Sequence, residues 1–152
     1  MKRSRLTYLL TGALISLGAC DQEKNEPMPT PKTSLLTGKD WLLTTSTIAP
    51  AFQGSTDQKA RLQACFLDNI MRYEPKGVYR VYQGATKCSS QDKASYEGTW
   101  TFNADETELT TDLPGIHTTY NLVDLTESEF TVSYSFPSAN TVYTVTTTYT
   151  KQ

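Results

Sequence analysis

Three cysteines and one histidine are the side chains of this chain best suited to redox, metal or acid–base chemistry. If Cys20 is set apart, Cys65 and Cys88 form an even pair, which in an oxidising compartment predicts a disulfide. The midpoint between them falls on residues 75–77, the turn signal Pro-Lys-Gly. In a hairpin centred on that turn, the two cysteines would lie opposite each other. The bridge would close a loop of about 24 residues and stabilise the fold by about 3 kcal/mol.

Two free thiols, or a metal site completed by His117, are the alternatives for this cysteine pair. Zinc needs three or four ligands, usually with two of them close in sequence, and no Cys-x-x-Cys or His-x-x-His spacing is present. A catalytic triad would also need His117, but the chain has no Gly-x-Ser-x-Gly nucleophile motif. Acidic residues such as Asp105, Glu106 and Asp124 fall at predicted turns, where they are common. We therefore expect no enzyme activity, no metal and no cofactor.

The N-terminus begins with the basic segment MKRSR and continues with an apolar run that ends at Cys20. The run is shorter than the roughly 20 residues that a membrane-spanning helix needs. A basic start followed by a short apolar run is typical of a secretory signal. The sequence therefore predicts a signal peptide over residues 1–19, with a short buried helix as the alternative.

The residues Leu17-Gly18-Ala19-Cys20 resemble a bacterial lipobox. That resemblance implies cleavage before Cys20 and a thioether-linked diacylglyceryl group on its sulfur. The residue types suit this chemistry, because small side chains fit a narrow protease groove and the cysteine thiol is a good nucleophile. Several acyl chains together give lasting membrane attachment. An ordinary signal peptide cut near Ala19, which leaves a free cysteine, is the alternative.

Residues 20–34 are polar and proline-containing, which predicts a flexible tether. Their acidic start resembles the surface-export signals of lipoproteins of the Bacteroidetes type. We expect an exported outer-membrane lipoprotein, on either the periplasmic or the cell-surface side. Without residues 1–19, which carry three basic residues and no acid, the net charge changes from −2 to −2 − 3 = −5. An acidic chain has no electrostatic reason to bind nucleic acid.

Composition and periodicity after the tether favour an all-β domain. Apolar residues make up 38% and charged residues 20% of the chain, as in one globular domain, and its many Thr and Tyr residues favour strands. Alternation of apolar and polar residues predicts eight strands, at residues 38–48, 68–74, 78–83, 96–103, 108–113, 116–125, 130–136 and 141–150. The spacing of Ser55 and Gln58 is that of a capping box, and with an apolar stripe behind it predicts a short helix over 55–67.

Short connections imply that consecutive strands pair antiparallel. A long sheet with one apolar face can bury that face by closing on itself. The sequence therefore predicts an eight-stranded up-and-down barrel over residues 35–152, with the helical segment 55–67 as a lid. A β-sandwich is the alternative.

Several segments of this domain resemble lipocalin-like lipoproteins of the Bacteroidetes type: TGKDWLL, CFLDN, KGVYRVYQG and GTWTFN. The resemblance covers about residues 35–150. Trp41, in the segment Gly-Lys-Asp-Trp, is similar to the tryptophan of the Gly-x-Trp motif in the first strand of lipocalins. The resemblance implies an eight-stranded, lipocalin-like barrel on a lipid tether.

Large aromatic side chains recur on one face of the predicted strands. The residues expected to line the barrel interior, and with it a ligand pocket, are Trp41, Tyr96, Trp100, Phe102, Phe130, Tyr134 and Phe136. They can fill the barrel as a packed core or leave room for one small hydrophobic or amphipathic ligand. The first case predicts a structural or interaction module of an outer-membrane complex, and the second a lipid-anchored binding protein.

Overall fold

The computed structural model describes residues 30–152. Its elements are α1 (Lys32–Leu36), β1 (Asp40–Phe52), β2 (Ser55–Asp57), β3 (Ile70–Glu74), β4 (Val78–Tyr82), β5 (Ser95–Phe102), β6 (Glu108–Leu113), β7 (Ile116–Leu125), β8 (Glu129–Ser138) and β9 (Thr141–Lys151), with 3₁₀ turns at Lys59–Arg61, Ala64–Phe66 and Pro75–Gly77. The predicted signal peptide, the lipid attachment at Cys20 and most of the predicted tether lie outside the described residues.

Eight strands close into an antiparallel barrel. Each strand from β3 to β8 pairs with the next one along the chain, and β1 pairs with β3 on one side. On its other side β1 pairs with β9, from Trp41 opposite Lys151 to Ala49 opposite Thr144. Strand β2 pairs with the far part of β1 and lies outside the ring. The predicted eight-stranded antiparallel barrel is therefore confirmed, and the sandwich alternative is excluded.

The turn between β3 and β4 reverses the chain so that these two strands pair with each other. Lys76 and Gly77 have left-handed backbone conformations, with φ of 69° and 81°, and they reverse the chain so that Tyr73 pairs with Tyr79. At Gly77 a Cβ atom would also lie only 3.0 Å from the carbonyl oxygen of Trp100. Glycine suits this position because it lacks that atom.

The helix predicted over residues 55–67 is wrong, because this segment forms β2 and two 3₁₀ turns. The Ser55 hydroxyl accepts a hydrogen bond from the backbone N–H of Asp57 (3.1 Å) and does not cap a helix. Ala60 and Ala64, on the expected apolar face, are exposed. A short helix is marginal unless one of its faces is buried, so strand pairing with β1 prevails at the start of the segment.

Side chains alternate between the barrel interior and solvent. In β5, Trp100 is buried whereas Thr99 and Thr101 are exposed. In β8, Phe130 is fully buried and its neighbour Glu129 is exposed. The period of two in the sequence therefore corresponds to the inside–outside alternation of the barrel wall.

Helix α1 covers one end of the barrel, which we call the closed end. The Leu36 side chain is fully buried, and the indole N–H of Trp41 donates a hydrogen bond to the Leu36 carbonyl oxygen at 2.9 Å. Lys32 Nζ donates to the carbonyl oxygen of Glu106, in the turn between β5 and β6, at 2.6 Å. These contacts hold the helix across the barrel floor.

The packed core occupies the half of the barrel next to α1. Its buried residues are Leu36, Trp41, Tyr73, Tyr79, Trp100, Leu109, Phe130 and Val132. Trp41 and Phe130 meet edge to face, with ring centroids 4.9 Å apart. At the opposite end, which we call the open end, lie the β1–β2 hairpin, the loop between β4 and β5 and the β6–β7 turn.

Candidate functional site

A cavity of about 440 Å³ lies at the open end, where β3, β5 and β7 begin and β4 and β6 end. This volume falls within the range of about 300–1,000 Å³ that is usual for small-molecule sites. The residues that form its apolar walls are Phe66, Val81, Tyr96, Leu113, Pro114 and Ile116. Residues from five different chain segments therefore converge there, because the barrel brings the ends of these strands together.

Two of these wall residues are unusually exposed. Phe66 is 50% exposed and Ile116 is 62% exposed, although both are large and apolar. Single exposed apolar residues are common, but a group of them at a concave surface is typical of a binding site. A bound apolar molecule would remove both side chains from water.

The disulfide between Cys65 and Cys88 holds one side of the cavity. It joins the 3₁₀ turn before β3 to the loop between β4 and β5, with the two Cα atoms 5.2 Å apart. Ile70 and Tyr82 are opposite each other at the same end of the β3–β4 hairpin, so the bridge lies where the hairpin geometry predicts it. Cys88 itself contacts the cavity, and the predicted disulfide is confirmed.

Three polar side chains face the cavity: Asn69, Gln83 and Asp92. The Oδ1 atom of Asn69 accepts a hydrogen bond from Gly84 N at 3.1 Å. Asp92 accepts from Ser89 N (2.8 Å) and, more weakly, from the hydroxyl of Tyr96 (3.4 Å). The Oε1 atom of Gln83, in contrast, is buried and has no hydrogen-bond partner in the described part of the chain.

The Asp68 side chain packs against Gly84, the residue that follows Gln83. A Cβ atom on Gly84 would be 2.2 Å from Asp68 Cγ, so only glycine fits there without movement of its surroundings. The Oδ2 atom of Asp68 accepts a hydrogen bond from Thr86 N at 2.9 Å, whereas its Oδ1 atom is buried without a partner among residues 30–152. Buried polar atoms without partners are rare in native proteins.

Tyrosine hydroxyls lie close to one another inside the barrel. Burial raises the pKa of Tyr73 and Tyr149 well above the ordinary value, and the nearby hydroxyls of Tyr79 and Tyr120 raise it further because phenolates repel one another. Burial likewise raises the pKa of Tyr79 and Tyr120. At neutral pH these four side chains are uncharged phenols, which can form hydrogen bonds but are poor bases and nucleophiles.

The residues predicted to line a pocket occupy four different places. Tyr96 is on the wall of the open-end cavity. Trp41 and Phe130 are fully buried in the packed core. Tyr134 and Phe136 are half-buried on β8 and stack on each other, with ring centroids 6.2 Å apart.

Trp100 and Phe102 lie near the closed end. They border a wider, more polar depression of about 560 Å³ beside the β3–β4 and β5–β6 turns. The indole N–H of Trp100 donates to the Glu74 carbonyl oxygen at 2.9 Å. The structure therefore places only Tyr96 of the predicted pocket residues at the apolar cavity, and a ligand-binding role for the other six stays a prediction.

The remaining wall residues were not found by sequence reasoning. Phe66 precedes β3, and Leu113 and Ile116 flank the turn Pro114-Gly115. For Leu113 and Ile116 the signal was the turn itself, since residues beside a tight turn between two barrel strands must lie at one end of the barrel. For Phe66 the signal was the adjoining Cys65, because the disulfide brings that segment to the hairpin.

His117 is exposed on the outside of β7, with Nδ1 3.5 Å from a carboxylate oxygen of Asp112. It does not face the cavity. Among residues 30–152 no group of three or more His, Cys, Asp or Glu side chains is arranged to hold a metal ion. Within the same residues, no helix is both long enough and apolar enough to cross a bilayer.

No known family model matches the chain, and no curated protein matches it significantly. Functional inference therefore rests on the fold and on the chemistry of the open-end cavity.

Proposed function

We propose that this chain is a lipid-anchored, lipocalin-like protein of the cell envelope that holds a small hydrophobic or amphipathic molecule in the open-end cavity. The observation that carries this proposal is a cavity of about 440 Å³ with apolar walls at one end of a closed barrel. Its volume suits a single short-chain or ring-sized ligand. The disulfide at its edge gives the mouth a fixed shape, which lowers the entropy lost on binding.

Membrane attachment is the second part of the proposal. It is supported by the basic start, the short apolar run and the Leu17-Gly18-Ala19-Cys20 segment. Metabolic labelling with an azido or alkynyl fatty acid tests it. Label should appear on the wild-type protein and be absent from the variant Cys20→Ala, and label on both or on neither would contradict lipidation at this residue.

Ligand binding is tested with Nile red, a neutral apolar dye that brightens in apolar surroundings. Ile116 and Val123 are matched residues for this test, because both lie on β7 and are 62% and 59% exposed. Only Ile116 contacts the cavity. The variant Ile116→Asn should raise the dissociation constant about fivefold, as expected for the loss of about 1 kcal/mol of apolar contact.

The control variant Val123→Asn should bind the dye as the wild type does. Equal effects of the two substitutions, or no saturable brightening with the wild-type protein, would show that the cavity is not a binding site.

A second candidate function is a structural or interaction module of an outer-membrane complex. The packed half of the barrel favours it, since Leu36, Trp41 and Phe130 are fully buried and leave no room there for a ligand. Cross-linking in intact cells separates the two functions. A stoichiometric partner that is retained by Ile116→Asn would favour the interaction module.

A further inference from the structure

We infer that the open-end cavity selects ligands whose polar head donates hydrogen bonds, amines above all, and that it rejects carboxylates. This inference rests on the proposed binding function and specifies its ligand class. It depends on the polar residues of the cavity walls and on the absence of basic side chains among the described residues that line them.

The first contribution comes from Gln83. Its Oε1 atom is buried at a cavity wall and has no hydrogen-bond partner within the described residues. A buried acceptor without a partner is costly, and rotation of the side chain towards the cavity would let a ligand N–H or O–H remove that cost.

The second contribution is negative charge. Among residues 30–152, Asp92 is the only charged side chain on the cavity walls and takes part in no ion pair. Its two known partners, Ser89 N and the Tyr96 hydroxyl, are uncharged donors. A cationic head would therefore gain a charge-assisted hydrogen bond, whereas an anionic head would be repelled.

Asp68, which does not itself line the cavity, adds negative charge next to it and so favours the same class of ligand. Its carboxylate packs against Gly84, next to Gln83, and its Oδ1 atom is a second buried acceptor without a partner. Lys87, in the same loop, donates to the backbone carbonyl of Asp92 at 3.4 Å and does not line the cavity. Discrimination by such a site comes mainly from groups that a wrong ligand leaves unpaired or repels.

The test is competition against Nile red by three eight-carbon compounds, octylamine, octanol and octanoate, at pH 7 and below their aggregation thresholds. They share one apolar chain and differ only in the head. Octylamine should displace the dye at a concentration at least tenfold lower than octanoate, with octanol between them. Equal or stronger displacement by octanoate overturns the inference and leaves the binding function intact.

Two variants locate the selectivity. Asp92→Asn keeps an oxygen for Ser89 N and should reduce the preference for amine over carboxylate to about threefold or less. Gln83→Leu should weaken octylamine and octanol together by about fivefold relative to that variant's own affinity for Nile red. The control is Asp124→Asn, an exposed carboxylate on β7 away from the cavity, which should change nothing.

Two further outcomes would contradict the inference. A preference for amine that persists in Asp92→Asn and Gln83→Leu overturns the assignment of these two residues. Failure of the wild-type protein to bind Nile red or any of the three compounds overturns the binding function and this inference together.

Discussion

The hydroxyls of Ser46 and Thr147 lie 2.9 Å apart in a hydrogen bond inside the barrel. The two residues are directly opposite each other on β1 and β9, the strands whose pairing closes the ring, and they are only 4% and 8% exposed. Each hydroxyl therefore depends on the other for a partner in a largely apolar interior. The pair matches the register of the closing strands, since a shift of either strand by one residue would turn its hydroxyl outward and break the pair.

A double-mutant cycle tests this relationship. Ser46→Ala alone should lower the free energy of unfolding by about 1–3 kcal/mol, because it leaves the buried Thr147 hydroxyl unpaired. The double variant Ser46→Ala with Thr147→Val removes both hydroxyls and should cost less than the sum of the single variants. Urea unfolding followed by tryptophan fluorescence measures all four proteins. Strict additivity would mean that the two hydroxyls do not interact in solution.

Loss of the disulfide should weaken both stability and binding. Replacement of Cys65 and Cys88 by serine removes a covalent tie across a loop and should lower the free energy of unfolding by about 3 kcal/mol. Because Cys88 and Phe66 contact the cavity, the same variant should bind Nile red more weakly than the wild type.

Reductant supplies the control for the disulfide. It should lower the urea midpoint of the wild-type protein towards that of the double serine variant and leave the variant itself unchanged. An unaltered wild-type midpoint after reduction, verified by mass spectrometry, would contradict the predicted contribution.

The interior tyrosines should make the barrel sensitive to alkali. Burial raises the pKa of Tyr73, Tyr79, Tyr120 and Tyr149 above the ordinary value of 10.0. Above pH 10 the unfolded chain releases these protons while the folded chain keeps them, so the unfolded state binds fewer protons and stability falls as pH rises. The contribution of these tyrosines to the free energy of unfolding is complete below pH 10. It is lost as the pH rises from 10 towards the pKa of each tyrosine in the folded state. Each such group contributes a slope of about 1.4 kcal/mol per pH unit.

Urea unfolding at pH 9, 10 and 11 measures that slope. The variant Tyr73→Phe should be less stable than the wild type at pH 9 but should lose stability less steeply at higher pH. Absorbance at 295 nm should show the buried phenols ionising only when the protein unfolds. A wild-type stability that stays constant from pH 9 to pH 11 would be incompatible with protonated tyrosines in the interior.

Gly84 is the glycine next to the candidate site whose replacement should be most damaging. A Cβ atom there would lie 2.2 Å from Asp68 Cγ and 2.5 Å from its carbonyl oxygen. Gly84→Ala should therefore shift the backbone and destabilise the fold by about 1–3 kcal/mol, with weaker Nile red binding because the adjoining cavity wall moves with it. Gly54→Ala is the control, since an alanine at its φ of +82° would also be strained but nothing lies within 4 Å, and Gly54 does not line the cavity. Only Gly84→Ala should affect the dye.

Most of the barrel could be predicted from the sequence because its strands obey a strict local rule. Segments such as Tyr96–Phe102 alternate large apolar and polar residues. Two strands joined by a tight turn such as Pro114-Gly115 can pair only in the antiparallel direction. The helix prediction for residues 55–67 was wrong because the capping spacing and the apolar spacing are local features. Hydrogen bonds to β1, which the local sequence does not show, decide the structure at the start of this segment. Helix α1 was missed because it has five residues and is held by Trp41 and the closed end of the barrel.

The candidate site was harder to predict than the fold. The sequence identified an aromatic interior, but it could not show that Trp41 and Phe130 would pack together while Tyr96 borders empty space. That difference depends on how α1 covers one end and on where the disulfide holds residues 65 and 88. The polar atoms of Gln83 and Asp92 sit in a loop without periodicity, so no sequence pattern pointed to them.

The position of α1 at the closed end also sets a direction of access. The described chain starts beside the barrel floor, on the side opposite the cavity mouth. With a lipid on Cys20, as proposed, the tether would join the barrel at its floor, and the length of the barrel would separate the anchored end from the cavity mouth. The anchor would therefore leave the mouth unobstructed.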